Sequence, residues 1–123
     1  MTQQRRIIFD VIRNSMRHMT AEQIYLEAKQ ILPSIAMGTV YRNLGLMSDA
    51  GEILRIEMAG QPDHFDKTVS PHHHCLCPHC GEVSDAPIPD LTEHLQQILG
   101  SPVESYDLTL RILCDDCRAK TMQ

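Results

Sequence analysis

The start of the chain carries apolar residues at the spacing of an amphipathic helix. Ile7, Ile8, Val11 and Ile12 stand at i, i+1, i+4 and i+5, so they form one stripe along a helical surface. This pattern predicts a helix over residues 3–14.

A second helix begins with a capping signal. Thr20, followed three residues later by Gln23, is a capping box in which each side chain bonds the other residue's backbone N–H. Pro33 cannot continue a helix, so this helix is expected to end just before it. The apolar face of the helix comprises Ile24, Tyr25, Ala28, Ile31 and Leu32.

A third helix is predicted over residues 37–49. Val40, Leu44 and Met47 share its inward face, and Gly51 provides a C-terminal stop. Three short helices joined by tight turns are the layout of a helix-turn-helix.

After the third helix the apolar periodicity changes from that of a helix to that of a strand. Residues 53–58 alternate, residues 59–63 have the composition of a turn, and residues 64–69 form a second strand. A β-hairpin attached to three helices predicts a winged helix-turn-helix.

The second half alternates short strands with one helix. We predict strands over residues 72–77 and 82–85, an amphipathic helix over residues 90–99 that Gly100 ends, and a last strand over residues 108–112. This order differs from the helical first half and indicates a separate structural unit.

Ser70 and Pro71 mark the boundary between the two patterns. A chain of 123 residues is too short for two large independent cores. We therefore predict an α+β fold, with an N-terminal winged helix-turn-helix domain over residues 1–69 and a small α/β domain over residues 70–123.

Two CxxC pairs predict a metal site in the second domain. Cys77 and Cys80 are separated from Cys114 and Cys117 by 33 residues, and together they can supply the four thiolates of a closed, structural zinc site. The competing interpretation is four unrelated cysteines. Cys75 is the odd thiol, and we expect it to be spare; the alternative is an additional metal ligand.

A run of histidines indicates a second kind of metal site. On a strand His72 and His74 face the same way and His73 the opposite way, so the first two can chelate one ion to which Asp85 can add a carboxylate. Nitrogen and oxygen donors favour Fe2+, Mn2+ or Zn2+ over Cu+. The alternative is a solvated histidine-rich loop. We expect His64 to lie at the surface.

The charge distribution leaves nucleic-acid binding open despite a net charge of −5. Residues 1–60 hold seven Lys/Arg against six Asp/Glu, and residues 61–123 hold four against ten, so the acidic surplus lies in the second half. With no run of 18 apolar residues and no uninterrupted apolar core in residues 1–30, neither a transmembrane helix nor a signal peptide is expected. We expect a cytoplasmic protein with reduced thiols.

The third helix carries a candidate DNA-binding face. Thr39, Tyr41, Arg42 and Asn43 are expected to cluster toward solvent, and their hydroxyl, guanidinium and amide groups suit phosphates and base edges. The alternative is an ordinary solvated helix face.

Taken in order, several motifs resemble those of the Fur family of bacterial metalloregulators. They are residues 2–5 (TQQR), 38–44 (GTVYRNL), 72–74 (HHH), 77–81 (CPHCG) and the pair at 114 and 117. The resemblance spans nearly the whole chain. It implies a metal-dependent, DNA-binding transcriptional repressor rather than an enzyme, which acts on double-stranded operator DNA as a homodimer formed through residues 70–123.

The resemblance is strongest to the peroxide-sensing members. It implies one regulatory Fe2+ or Mn2+ site per chain beside the structural zinc, with aspartate where the iron-sensing members carry glutamate. The ligands it implies are His18, Asp66, His72, His74 and Asp85.

Hydrogen peroxide is the signal that the resemblance implies, with Fe2+-catalysed oxidation of His18 or His72 as the response. It also points to Arg5 as a DNA contact.

Three departures from the family pattern matter. Gln3 replaces the usual proline, and Ala36 replaces a serine N-cap, which weakens the third helix by about 1 kcal/mol. Pro71 and Tyr106 stand where an additional metal site needs histidine.

Other functions compete with peroxide sensing. The first is a repressor that responds to Fe, Mn or Zn occupancy without redox chemistry. The second is a zinc enzyme, although Glu82, the nearest general base, should face away from Asp85 on a strand. The third is a protein-binding zinc module that does not bind DNA.

Overall fold

The computed structural model describes residues 2–68 and 73–121. The chain divides into two compact units, residues 1–71 (unit 1) and residues 72–123 (unit 2). Among the described residues, no helix has both the length and the apolar character needed to cross a membrane. The functions predicted for the two domains stay predictions at this point.

The described residues of unit 1 form three helices and three short strands. They are α1 (Gln3–Asn14), β1 (Met19–Thr20), α2 (Ala21–Ile31), α3 (Met37–Asp49), β2 (Leu54–Ile56) and β3 (His64–Asp66). The bounds of all three helices confirm the predictions from apolar periodicity.

Capping interactions set the start of α2 as predicted. Thr20 Oγ1 accepts from the Gln23 N–H at 3.2 Å, and Gln23 Oε1 accepts from the Thr20 N–H at 3.0 Å. Two donors that the first turn of the helix would otherwise leave unpaired are thus satisfied.

The two ends of α3 differ in how they are capped. At the C-terminal end Gly51 adopts φ +75°, and the N–H groups of Gly51 and Glu52 donate to the carbonyls of Ser48 and Met47 at 3.1 and 2.9 Å. This is the Schellman arrangement, in which the left-handed residue is usually glycine. At the N-terminal end Ala36 makes no side-chain capping bond, as predicted from its missing hydroxyl.

The predicted hairpin is confirmed, with shorter strands than expected. β2 and β3 pair antiparallel, and β1 pairs with the other edge of β3, so the sheet order is β1-β3-β2. The sequence did not indicate β1, because two residues are too few to show a period of two.

Helix faces and the sheet enclose one apolar core in unit 1. Ile8, Ile24, Val40, Leu44 and Met47 are its largest fully buried side chains, and they come from all three helices. Phe65 of β3 is buried against the same cluster. The core therefore holds the helices and the sheet together.

In unit 2, the residues that the structure describes form a three-stranded sheet and two short helices. They are β4 (His74–Leu76), β5 (Val83–Asp85), α4 (Thr92–Leu99), β6 (Thr109–Arg111) and α5 (Asp115–Thr121). β4 is central, antiparallel to β5 and parallel to β6. The three strands and α4 agree with the predictions, whereas α5 was not predicted.

Candidate metal centres

The parallel pairing of β4 and β6 brings the two CxxC pairs together. Leu76 is paired with Arg111, so Cys77 and Cys114 leave the same end of the sheet a few residues later. Gly81, at φ +78°, closes the first turn by donating its N–H to the Cys77 carbonyl at 2.9 Å. The two loops that carry the CxxC pairs therefore face the same point beyond this end of the sheet.

The four thiols form the cluster that the sequence predicted. The Sγ atoms of Cys77, Cys80, Cys114 and Cys117 all lie within 4.8 Å of one another, and those of Cys80 and Cys114 are 3.8 Å apart. Tetrahedral zinc with Zn–S bonds of about 2.3 Å requires sulfurs about 3.8 Å apart. The cluster fits a structural zinc site.

The protonation of these thiols supports the same conclusion. Hydrogen bonds from the backbone of Cys114 and Cys80 lower the pKa of Cys77 to about 6, so one thiolate forms readily. A hydrogen bond with the Cys114 side chain raises the pKa of Cys117 to about 12, which opposes formation of a second thiolate. A divalent cation removes that penalty. Cys75, in the middle of β4, is half-buried and lies outside the cluster.

Unit 1 contributes one pair of predicted regulatory ligands. The pairing of Met19 with Phe65 places the preceding residue, His18, opposite Asp66. His18 Nδ1 lies 3.5 Å from Asp66 Oδ2, and both side chains are 8% exposed. A buried imidazole beside a buried carboxylate is a nitrogen–oxygen donor pair of the kind that binds Fe2+ or Mn2+.

Lys67 supports the loop that carries His18. Its Nζ donates to the carbonyls of Ser15 and Arg13 at 3.0 and 3.3 Å, just after α1 ends. Ser15 Oγ in turn accepts from the Arg17 N–H at 3.1 Å and donates to the Arg17 carbonyl at 2.8 Å. No local pattern in the sequence indicates this role, because Lys67 and Ser15 are 52 residues apart.

Unit 2 contributes a second pair of predicted ligands. His74 and Asp85 are directly opposite each other on the antiparallel strands β4 and β5, so their side chains share one face of the sheet. His74 is 9% exposed, while Asp85 is exposed. His72, the fifth predicted ligand, lies outside the described residues.

The prediction that His64 lies at the surface is wrong. His64 is 5% exposed, because it belongs to β3, the central strand of the sheet in unit 1. Its Nδ1 is 2.9 Å from the Pro62 carbonyl, and burial lowers the pKa of its imidazole.

The structure separates the predicted DNA-binding residues of α3. Tyr41 and Arg42 are exposed and Thr39 is half-buried. Asn43 is 8% exposed, and its Nδ2 donates to the Thr39 carbonyl at 2.8 Å, so the prediction that it faces solvent is wrong. The reason is helical geometry, since Asn43 follows the buried Val40 by three residues and shares its face.

Arg5, the remaining candidate for DNA contact, also has a partner within unit 1. Its Nη2 donates to Glu52 Oε1 at 2.7 Å, and both side chains are about one-third exposed or less. The ion pair ties α1 to the segment that follows α3. Direct contact between Arg5 and DNA stays a prediction.

A winged helix-turn-helix followed by a unit with a four-thiol zinc site defines a class of metal-binding transcription regulators. The chain belongs to the ferric uptake regulator family, whose model matches residues 1–112. Regulators of this family are DNA-binding, dimeric transcription factors rather than enzymes.

Individual relatives agree with this assignment. The chain is 31% identical over 122 residues to the peroxide operon regulator of Bacillus subtilis, covering 97% of this chain and 84% of that protein. The peroxide stress regulator of Campylobacter jejuni has a similar crystal structure, with TM-score 0.71 and 27% identity over 93% of this chain and 88% of that one. The ferric uptake regulator of Helicobacter pylori shares the fold, with TM-score 0.82 and 20% identity over 96% and 81%.

Proposed function

We propose that the chain is a metal-dependent repressor that binds operator DNA as a homodimer and releases it in response to hydrogen peroxide. The observation that carries the proposal is the donor set. His18 with Asp66 and His74 with Asp85 form two histidine–aspartate pairs, in a chain that is 31% identical to a peroxide operon regulator.

Each pair alone is too small for a regulatory ion. Two donors leave most of the coordination sphere of Fe2+ or Mn2+ to water, whereas the two pairs together with His72 supply five. We therefore propose that one regulatory ion takes all five as ligands. Metal binding then stabilises the form of the protein that binds DNA.

Oxidation of a ligand histidine would reverse the effect of metal binding on DNA affinity. Fe2+ held by these ligands would supply the redox chemistry. Hydrogen peroxide would add one oxygen to a ring carbon of His18 or His72, which would be oxidised, and its other oxygen would leave as water. The modified ring is a poorer ligand, so the affinity for the regulatory ion falls and DNA is released. Mn2+ supports DNA binding at the same ligands without this reaction.

The surfaces of both units support the DNA-binding and dimeric parts of the proposal. α3 exposes Tyr41, at 55%, and Arg42, which can reach bases and phosphates. In unit 2, Ile98 and Leu99 on α4 are each 66% exposed, and Ile112 is 52% exposed. Apolar side chains of this size favour association of two copies, which would present two α3 helices at half-sites about 34 Å apart.

Operator binding with and without peroxide tests the proposal. The zinc-loaded protein is given Fe2+ or Mn2+, its DNA affinity is measured, and the measurement is repeated after stoichiometric hydrogen peroxide. We expect loss of binding in the iron form alone, accompanied by one added oxygen on His18 or His72 in peptide mass mapping.

Two controls make the result specific. His94→Ala removes an exposed histidine that is not a proposed ligand and should leave the peroxide response intact, whereas His18→Ala should abolish metal-dependent DNA binding. Unchanged DNA affinity and unmodified histidines in the iron form after peroxide would instead identify a regulator of metal occupancy without redox chemistry.

A further inference from the structure

A hydrogen-bonded cluster in unit 2 joins three polar side chains outside the proposed ligand set. The hydroxyl of Tyr106 lies 2.9 Å from His73 Nε2 and 3.0 Å from Asp90 Oδ1, and it accepts from the Leu91 N–H at 2.8 Å. The rings of His73 and Tyr106 are also in contact, with centroids 5.1 Å apart. Tyr106 therefore links the start of β4 to the residues just before α4.

The number of available protons determines which group donates in each of these hydrogen bonds. Asp90 Oδ1 already accepts from the N–H and the hydroxyl of Thr92, at 3.1 and 2.7 Å, so it acts as an acceptor toward Tyr106. Tyr106 has one hydroxyl proton, which goes to Asp90. His73 must then donate through Nε2–H, and this requirement selects one tautomer of its ring.

The same residue is held by its backbone. The His73 carbonyl accepts from the Ala86 N–H at 2.9 Å, next to the pairing of His74 with Asp85. Both the ring and the carbonyl of His73 are therefore fixed. Because successive side chains on an extended strand point to opposite faces, fixing His73 on one face directs His74 to the other.

We propose that Tyr106 is a positioning residue for the regulatory site: by holding His73, it presents His74 beside Asp85 in the orientation that binds the ion. This inference rests on the proposed function. Groups that hydrogen-bond a metal ligand change metal affinity by about 10- to 100-fold when removed, and Tyr106 acts one residue further out, through His73, so the lower end of that range is expected.

Tyr106→Phe is the sharpest test, because it keeps the ring contact with His73 and removes only the hydroxyl. Mn2+ affinity is measured by titration of the zinc-loaded full chain. We expect Kd to rise about 10-fold, with zinc content unchanged. Tyr25→Phe, which removes the same hydroxyl from α2, is the matched control and should leave Kd unchanged.

A pair of substitutions at His73 separates positioning from general stability. His73→Gln keeps an N–H donor that can reach Tyr106 and should retain Mn2+ affinity, whereas His73→Ala should weaken binding as much as Tyr106→Phe. Equal affinities for wild type, Tyr106→Phe and His73→Ala would overturn the inference. If Tyr106→Phe does not fold, the comparison of His73→Gln with His73→Ala decides the question.

A measurement that needs no regulatory metal keeps the inference separate from the proposed function. In 15N NMR of the zinc-loaded protein, wild-type His73 should show the Nε2–H tautomer, and Tyr106→Phe should shift the ring signals of both His73 and His74. Unchanged His74 signals would overturn the inference even if the wild type bound Mn2+. If the wild type binds no Mn2+, the proposed function fails, and the His74 signals still decide whether Tyr106 orients His74.

Discussion

The described part of unit 1 buries fourteen apolar residues, thirteen of them in one cluster, whereas the described part of unit 2 buries four, Leu76, Cys77, Val83 and Ala86. None of the residues of α4 is buried. A small unit with so little apolar burial gains stability from a cross-link, and the four-thiol cluster is placed to provide it. The comparison indicates that unit 1 is held by its apolar core and unit 2 by its metal.

Loss of zinc should have the largest effect and should act on unit 2 alone. Cys114→Ser leaves three thiolates, and structural zinc in small domains contributes on the order of 10 kcal/mol of binding free energy. We expect loss of zinc and of unit 2 structure, while the helices of unit 1 persist. Zinc content and amide hydrogen exchange would measure both.

Cys75→Ser is the matched control, since Cys75 lies outside the cluster. It should retain zinc and protected amides in β4. Cooperative loss of both units in Cys114→Ser would contradict the comparison, because it would mean that unit 1 also depends on the metal.

Shortening a core side chain of unit 1 should have the opposite effect, destabilising unit 1 and leaving the zinc site intact. Leu44 is fully buried, so Leu44→Ala is expected to lower the free energy of unfolding of unit 1 by about 2–5 kcal/mol, through lost apolar contact and the cavity left behind. Zinc content should stay at the wild-type level. Leu46→Ala, at a site that is 52% exposed, should change stability by less than about 0.5 kcal/mol in denaturant titration.

The sequence predicted best what depends on local patterns. The bounds of α1, α2 and α3 follow from apolar spacing and end signals, and the zinc ligands follow from cysteine spacing. The burial of Asn43 was predictable in principle, because it lies three residues after Val40. The prediction that Asn43 faces solvent gave more weight to its polar side chain than to this spacing.

Contacts between distant residues were not predictable in this way. The bonds from Lys67 to Ser15 and from Tyr106 to His73 join residues 52 and 33 positions apart. No spacing pattern in the sequence indicates either of these two hydrogen bonds. Both depend on tertiary pairing, which a single sequence does not encode in its local periodicity.

Removing Lys67 should produce an intermediate effect within unit 1. Lys67→Met keeps much of the side-chain length but loses the charged donor to the carbonyls of Ser15 and Arg13. Because these bonds are solvent-exposed, we expect a loss of about 1.5 kcal/mol in unfolding free energy. Arg6→Met, at an exposed position of α1, is the control and should have almost no effect in the same titration.

The smallest expected effect is a gain. Ala36→Ser restores a side-chain acceptor at the start of α3 and should raise the stability of unit 1 by about 1 kcal/mol. Ala50→Ser, at the other end of the helix, provides no such cap and should give no gain. An equal change in thermal unfolding for the two variants would show that helix capping at Ala36 is not limiting.

The parallel pairing of β4 with β6 also has a consequence for synthesis of the protein. Cys77 and Cys80 emerge from the ribosome more than 30 residues before Cys114 and Cys117, yet all four are needed to close one shell. A nascent chain that stops before residue 114 carries all of unit 1 but only two of the four zinc ligands. Because the zinc site needs all four thiolates, unit 2 can complete its folding only after translation has passed residue 117. Unit 1, in contrast, can fold on the growing chain.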